Sequence, residues 1–217
     1  MLRTHLIKFA FASLALAGLL AVTPAHAQFS GAAPTTQVHD PLALKPPSGA
    51  RVAIVEFEDM ECPDCARANP LLHDAAAKYN IPWIRHDFPL PFHSWSMNAA
   101  VNARWFDTKS KKIGDDYRDS VFAAQQSIVS LENLRTFTEK YAADHKIALP
   151  FAVDPQGSLT ALVKADYALG QRVGIEHTPT IWVTTFQSKG APFVEVVDRT
   201  KLYQLIDQAL ADTKGGK

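Results

Sequence analysis

The passage that most constrains the fold of this chain is residues 52–65. Val52 to Phe57 (VAIVEF) is a nearly unbroken apolar, β-branched run, and the chain's two cysteines, Cys62 and Cys65, follow within a few positions. A run without polar alternation suits a strand covered on both faces. Pro63 fits the first position of a helix, where its missing N–H costs nothing. Residues 63–79 then set Ala66, Ala68, Leu71, Leu72, Ala75, Ala76 and Tyr79 at helical spacing, and Pro82 to Phe88 is a second strand candidate. Together they form a βαβ unit, which commits the chain to an α/β fold with the cysteines at a strand-to-helix junction.

That junction carries chemistry. A thiolate at Cys62 faces unpaired backbone N–H groups and the positive end of the helix dipole. Such a setting lowers a cysteine pKa from ~8.5 toward ~3.5 to 7.5 and makes the sulfur both nucleophile and leaving group. Cys65, one turn further on, is the buried resolving thiol. Two other readings compete. A structural staple gains little, because so short a loop removes little unfolded-state entropy. A zinc site needs four ligands, and there is neither a second C-x-x-C nor a close histidine pair.

The compartment decides between oxidised and reduced forms. Residues 1–27 have a basic start (Arg3, Lys8), an apolar run from Phe9 to Val22 and the ending Ala25-His26-Ala27. This is the pattern of a secretory signal cut after Ala27, and the apolar run is shorter than the ~20 residues a membrane span requires. Export, to a bacterial periplasm by this reading, places the cysteines where disulfides persist. Lys+Arg and Asp+Glu balance at 22 each, so no long-range field draws the chain to nucleic acid or an anionic membrane.

Beyond the signal, residues 28–49 are proline-rich and read as an extended lead-in. Residues 50–93 and 174–213 supply the strands. The later ones are Thr180 to Thr185 and Phe193 to Val197, closed by an amphipathic helix over Lys201 to Ala211. Residues 94–173 form a helical insertion, with helices expected over 96–106, 116–125, 131–145 and 158–169 and breaks at Gly114, 127–130, 150–157 and Gly170.

The strand-C-x-x-C-helix arrangement, with Thr178-Pro179 before a late strand, resembles the thioredoxin fold. The phrases VEFEDMECPDC, HDFPLPFH and GIEHTPTIWV are similar to the DsbA-like thiol:disulfide oxidoreductases, from about residue 50 to 210. The resemblance implies a thioredoxin fold with a central mixed β-sheet and an inserted all-helical subdomain. It implies no cofactor, with Cys62 as the attacking cysteine. Pro179 becomes a cis-proline facing the pair, and Thr178 the residue whose backbone meets a substrate chain. Glu56, six residues before Cys62 in a strand that reads as buried, needs a reason to be there. An acid at this offset occurs in the family, and with a raised pKa it can exchange a proton with Cys65. Pro70 should kink the first helix. Pro63, Asp64 and His177 are candidate tuners of the sulfurs; His73 and His93 are weaker ones. Trp83, Trp95, Trp105 and Trp182 read as core or groove lining.

The sequence departs from the family's strong oxidants at Asp64, where those enzymes hold a histidine. With Glu56, Glu58, Asp59 and Glu61 nearby, like charges should disfavour the thiolate, and the pair is expected to be a weaker oxidant than the strongest members. Disulfide donation to reduced cysteine-containing exported proteins is the leading expectation, with a membrane redox partner for reoxidation and a monomeric state. Isomerase or reductase activity is the alternative. A thiolate metal chaperone is a further one, which the three methionines and the lack of a His-rich tract disfavour for copper.

Overall fold

The computed structural model describes residues 35–186 and 192–214; the signal segment lies outside them. Among the described residues four strands form one sheet in the order β2-β1-β3-β4, from β1 (Val52–Glu58), β2 (Trp83–Asp87), β3 (Thr180–Thr185) and β4 (Phe193–Glu195). β1 pairs in parallel with β2 and antiparallel with β3, and β3–β4 is an antiparallel pair. The sheet is therefore mixed, as expected.

Every residue of β1 is buried, and its period of two explains why. Val52 and Ile54 face Ala68, Leu72 and Ala75 of α1 (Pro63–Tyr79) and Leu202, Ile206 and Ala209 of α6 (Leu202–Asp212). Val55 and Phe57 point the other way, into a cluster with Leu44, Phe88, Val173, Ile175 and Trp182. Fully burying side chains such as Leu72 and Ile206 contributes about 1.5–3 kcal/mol each. α1 continues on both sides of Pro70 and ends where Asn80 turns left-handed, at φ 50°.

Between β2 and β3 lie α2 (Ser96–Asp107), α3 (Lys111–Ala124), α4 (Leu131–Asp144) and α5 (Ser158–Val173). Two expected breaks are corrected. α3 starts at Lys111 and runs through Gly114, where an added Cβ would lie 1.9 Å from the Asp107 carboxylate of α2. α5 runs through Gly170, where a Cβ would lie 2.5 Å from the Phe88 ring. Both glycines are places of close packing. The lead-in is also corrected: Pro41–Ala43 make a short 3-10 turn and Leu44 is wholly buried in the sheet's second layer.

The inserted helices form a core that includes Met60, Cys62 and Cys65 alongside Trp95, Phe106, Tyr117, Val121 and Tyr141. The cysteine pair therefore sits where the start of α1 meets the insertion. Among the described residues no helix is long and apolar enough to cross a membrane.

Candidate active site

The turn from β1 into α1 is held by its own carboxylates. Asp59 accepts from the backbone N–H of Glu61 at 2.7 Å and of Leu90 at 2.6 Å, and its Oδ2 lies 2.8 Å from His93 Nδ1. Glu61 Oε2 accepts from the N–H of Trp95 at 2.6 Å and Ser96 at 3.0 Å. It thus satisfies orphan donors at the start of α2, where a negative charge is favoured. Gln125, just after α3, donates to the carbonyls of Met60 at 2.9 Å and Cys62 at 3.0 Å. Three elements thereby fix one short loop.

Cys62 is the N-cap of α1, with extended backbone and Pro63 at the first helical position. It is 7% exposed, and Cys65 is wholly buried. The Cys62 thiol donates to the Thr178 carbonyl at 3.2 Å, and the Thr178–Pro179 peptide is cis. The Cys62/Cys65 pair and Thr178-Pro179, far apart in sequence, are thus brought together. A hydrogen bond from Cys65 does most to lower the Cys62 thiol, from its ordinary 9.0 to about 6. The backbone N–H groups of Cys65 and Asp64 add to it, against the opposing effect of burial. Cys65 moves the other way, well above its ordinary value, because burial, Cys62 and the negative charge of Glu56 all disfavour its thiolate. The Thr178 hydroxyl is buried with no hydrogen-bond partner among the described residues.

Glu56 follows Val52 and Ile54 onto the α1 side of β1, which carries it beneath the helix that holds Cys65. It is 1% exposed and accepts from the Trp83 indole N–H at 3.0 Å. Burial, then the charge of Glu58, raise its carboxyl well above the usual range. Glu58 is held by the buried Arg85 guanidinium at 3.0 Å. Arg85 also reaches Asp119 at 2.8 Å and Asn69 at 3.1 Å. Nearby, the buried Arg118 forks onto Asp107 at 3.0 and 2.9 Å.

These pairings revise the expectation that the acids crowd the thiolate with uncompensated charge. Asp64 is paired with Arg67 at 3.0 Å and Arg199 at 2.6 Å. Asp59, Glu58 and Glu61 are likewise each taken up, as described above. His177 is half-buried and lines a cleft with His39 and Glu176; no hydrogen bond joins its ring to either sulfur among the described residues. His73 is exposed and faces Asp74.

Sequence reasoning missed Gln125 and Arg199 and gave Trp83 only a packing role. Gln125 and Arg199 act from distant segments with no local signature. Trp83 could be found only through the parallel register that sets Ile54 beside it.

Residues 47–198 match the family model described as Thioredoxin. No curated protein matches the chain. Among solved structures, alpha-DsbA1 of Wolbachia pipientis aligns with a TM-score of 0.59 at 16% identity, covering 82% of this chain and 95% of that one. DsbA2 of Pseudomonas aeruginosa gives 0.56 at 20%, covering 83% and 97%. The catalytic domain of ScsC from Proteus mirabilis gives 0.58 at 20%, covering 77% and 88%. These likenesses establish the thioredoxin fold with inserted helices. With the family model spanning the whole sheet and the whole insertion, the chain belongs to the thioredoxin family.

Proposed function

We propose that this protein is a thiol:disulfide oxidoreductase that donates the Cys62–Cys65 disulfide to reduced cysteines of exported proteins. The observation that carries the reading is the unequal placement of the two sulfurs, with Cys62 capping α1 against the Thr178 carbonyl beside the cis-proline and Cys65 wholly buried one turn on. Cys62 is lowered to about 6 while Cys65, one turn away and fully buried, is raised. A substrate thiolate attacks the Cys62 sulfur, the bond to Cys65 breaks, and Cys65 leaves and takes a proton, for which Glu56 is the adjacent reservoir. A second substrate thiolate then attacks the substrate's sulfur in the mixed disulfide. Cys62 departs as a thiolate, which its setting stabilises. The substrate dithiol loses two electrons and two protons; the cysteine pair gains two electrons and holds one proton on Cys65, the other being released.

The substrate would meet the site along Thr178, beside the cis-proline, and a cleft of about 650 Å³ adjoins Pro63, lined by Ala66, Trp95, Phe122, Gln125 and Ile128. Export through the signal at residues 1–27, reoxidation by a membrane partner and a monomeric state complete the reading.

A Cys62 value near 6 lies between those of a strong oxidant, ~3.5, and of thioredoxin, ~7. The potential is therefore expected between about −120 and −270 mV. Two measurements test the reading. The oxidised chain should oxidise a reduced two-cysteine peptide, and Cys62→Ser should abolish this. A chain that instead mainly unscrambles mispaired disulfides overturns the donor assignment in favour of isomerase.

A further inference from the structure

The dipeptide between the cysteines is gripped from the far end of the chain. Arg199 opens the 3-10 turn Arg199–Lys201 that leads into α6. Its Nη2 donates to Asp64 Oδ1 at 2.6 Å and its Nη1 donates to the Asp64 backbone carbonyl at 3.1 Å. One guanidinium thus holds the side chain and the main chain of the same residue, inside the Cys62–Cys65 loop. Arg67 meets the same Oδ1 at 3.0 Å, but it lies on α1 itself and is largely exposed. Arg199 is the contact that ties Asp64 to another element.

The other charges around the loop are committed elsewhere. Glu61 is bound to the start of α2, Asp59 to His93 and the Leu90 N–H, and Glu56 to Trp83. Asp64 is the one carboxylate between the sulfurs, and it precedes an N–H group, that of Cys65, which helps lower Cys62. The Asp64 N–H also helps lower Cys62, so the orientation of this peptide bears directly on the thiolate.

Resting on the function proposed above, we infer that Arg199 is a positioning residue: by bridging the carboxylate and carbonyl of Asp64 it fixes the charge and geometry of the Cys62–Cys65 loop and so sets the redox equilibrium of the pair. In that equilibrium with glutathione, the protein disulfide gains two electrons, giving a Cys62 thiolate and a Cys65 thiol. Two glutathione thiols lose two electrons to form one disulfide and release one proton to solvent. Whatever stabilises the Cys62 thiolate draws this toward the reduced protein. With Arg199 gone, Asp64 keeps its negative charge and loses its better anchor, so the thiolate is less favoured and the disulfide more stable.

The test compares the full exported chain with Arg199→Gln and Arg199→Lys. The Cys62 thiolate is titrated by ultraviolet absorbance, which needs no substrate, and each variant is equilibrated with glutathione. Arg199→Gln should weaken the thiolate about threefold, roughly half a pKa unit. The glutathione equilibrium should move the same way, to a potential about 15 mV more reducing. Arg199→Lys, which keeps the charge without the fork, should recover part of both. In an Asp64→Asn background the Arg199→Gln effect should shrink, which a general loosening of the fold would not produce. Thermal unfolding of each variant shows whether it is folded. Folded Arg199→Gln with wild-type titration and wild-type glutathione equilibrium overturns the inference. Failure of the wild-type chain to oxidise any dithiol defeats the functional reading instead, and leaves the titration result standing on its own.

Discussion

The lowered Cys62 thiol makes the reduced protein's stability depend on pH, and Cys62→Ser isolates the effect. Cys62 goes from an ordinary 9.0 to about 6 in the fold. A depressed value means that stability is gained as pH rises through about 6 toward 9 and lost as pH falls through about 6. Working this through, the thiolate contributes about 1.4 kcal/mol at pH 7 and about 0.1 kcal/mol at pH 5. Cys65 is shifted upward, so its effect begins only in alkali and does not enter this window. Glu56 also titrates abnormally, but it is present in both proteins and cancels to first order. Urea unfolding of the two proteins under reducing conditions should therefore show wild type gaining about 1.3 kcal/mol over Cys62→Ser between pH 5 and pH 7. Each curve supplies its own reference, so any pH-independent cost of the serine drops out. Parallel pH profiles, with a difference under about 0.3 kcal/mol, would refute the claim that the fold stabilises this thiolate.

Glu56→Gln keeps an acceptor for Trp83 and removes the buried acid. Because the Glu56 carboxyl is raised by burial, its ionisation opposes folding as pH climbs above the unfolded value, so the variant should be more stable than wild type at pH 8 and close to it at pH 4. The proposed exchange of a proton between Glu56 and Cys65 should be lost, slowing attack of Cys65 on a mixed disulfide at least about tenfold in stopped-flow assays; an unchanged rate would remove Glu56 from the chemistry. Gln125→Ala strips donors from two carbonyls of the cysteine loop, those of Met60 and Cys62. It should cost about 1–3 kcal/mol in denaturant unfolding, and a cost near zero would show that water replaces the amide.

The strand-turn-helix unit was legible because its cause is local. VAIVEF admits only a strand buried on both faces, Pro63 can begin a helix, and the cysteines fall at the start of it. Pro179 and Glu56 were legible through resemblance, each one position in a pattern. Gly114 and Gly170 read as helix breaks from the sequence because helix propensity is a local preference. The neighbours that make glycine necessary, Asp107 and Phe88, come from other elements.

The sequence by itself determined the α/β class, the two-cysteine junction and the helical stretch between the strands. Each follows from periodicity, proline placement or residue count within a short window. Only the tertiary structure decided how the surrounding acids act. Read along the chain, Glu56, Glu58, Asp59, Glu61 and Asp64 are five like charges beside a thiolate. In the fold each of the last four meets a donor from a distant segment, among them Arg85, His93, the start of α2 and Arg199, while Glu56 is buried beneath α1 against Trp83. Electrostatic energy depends on separation in space and on burial, and neither quantity is written in the order of the residues.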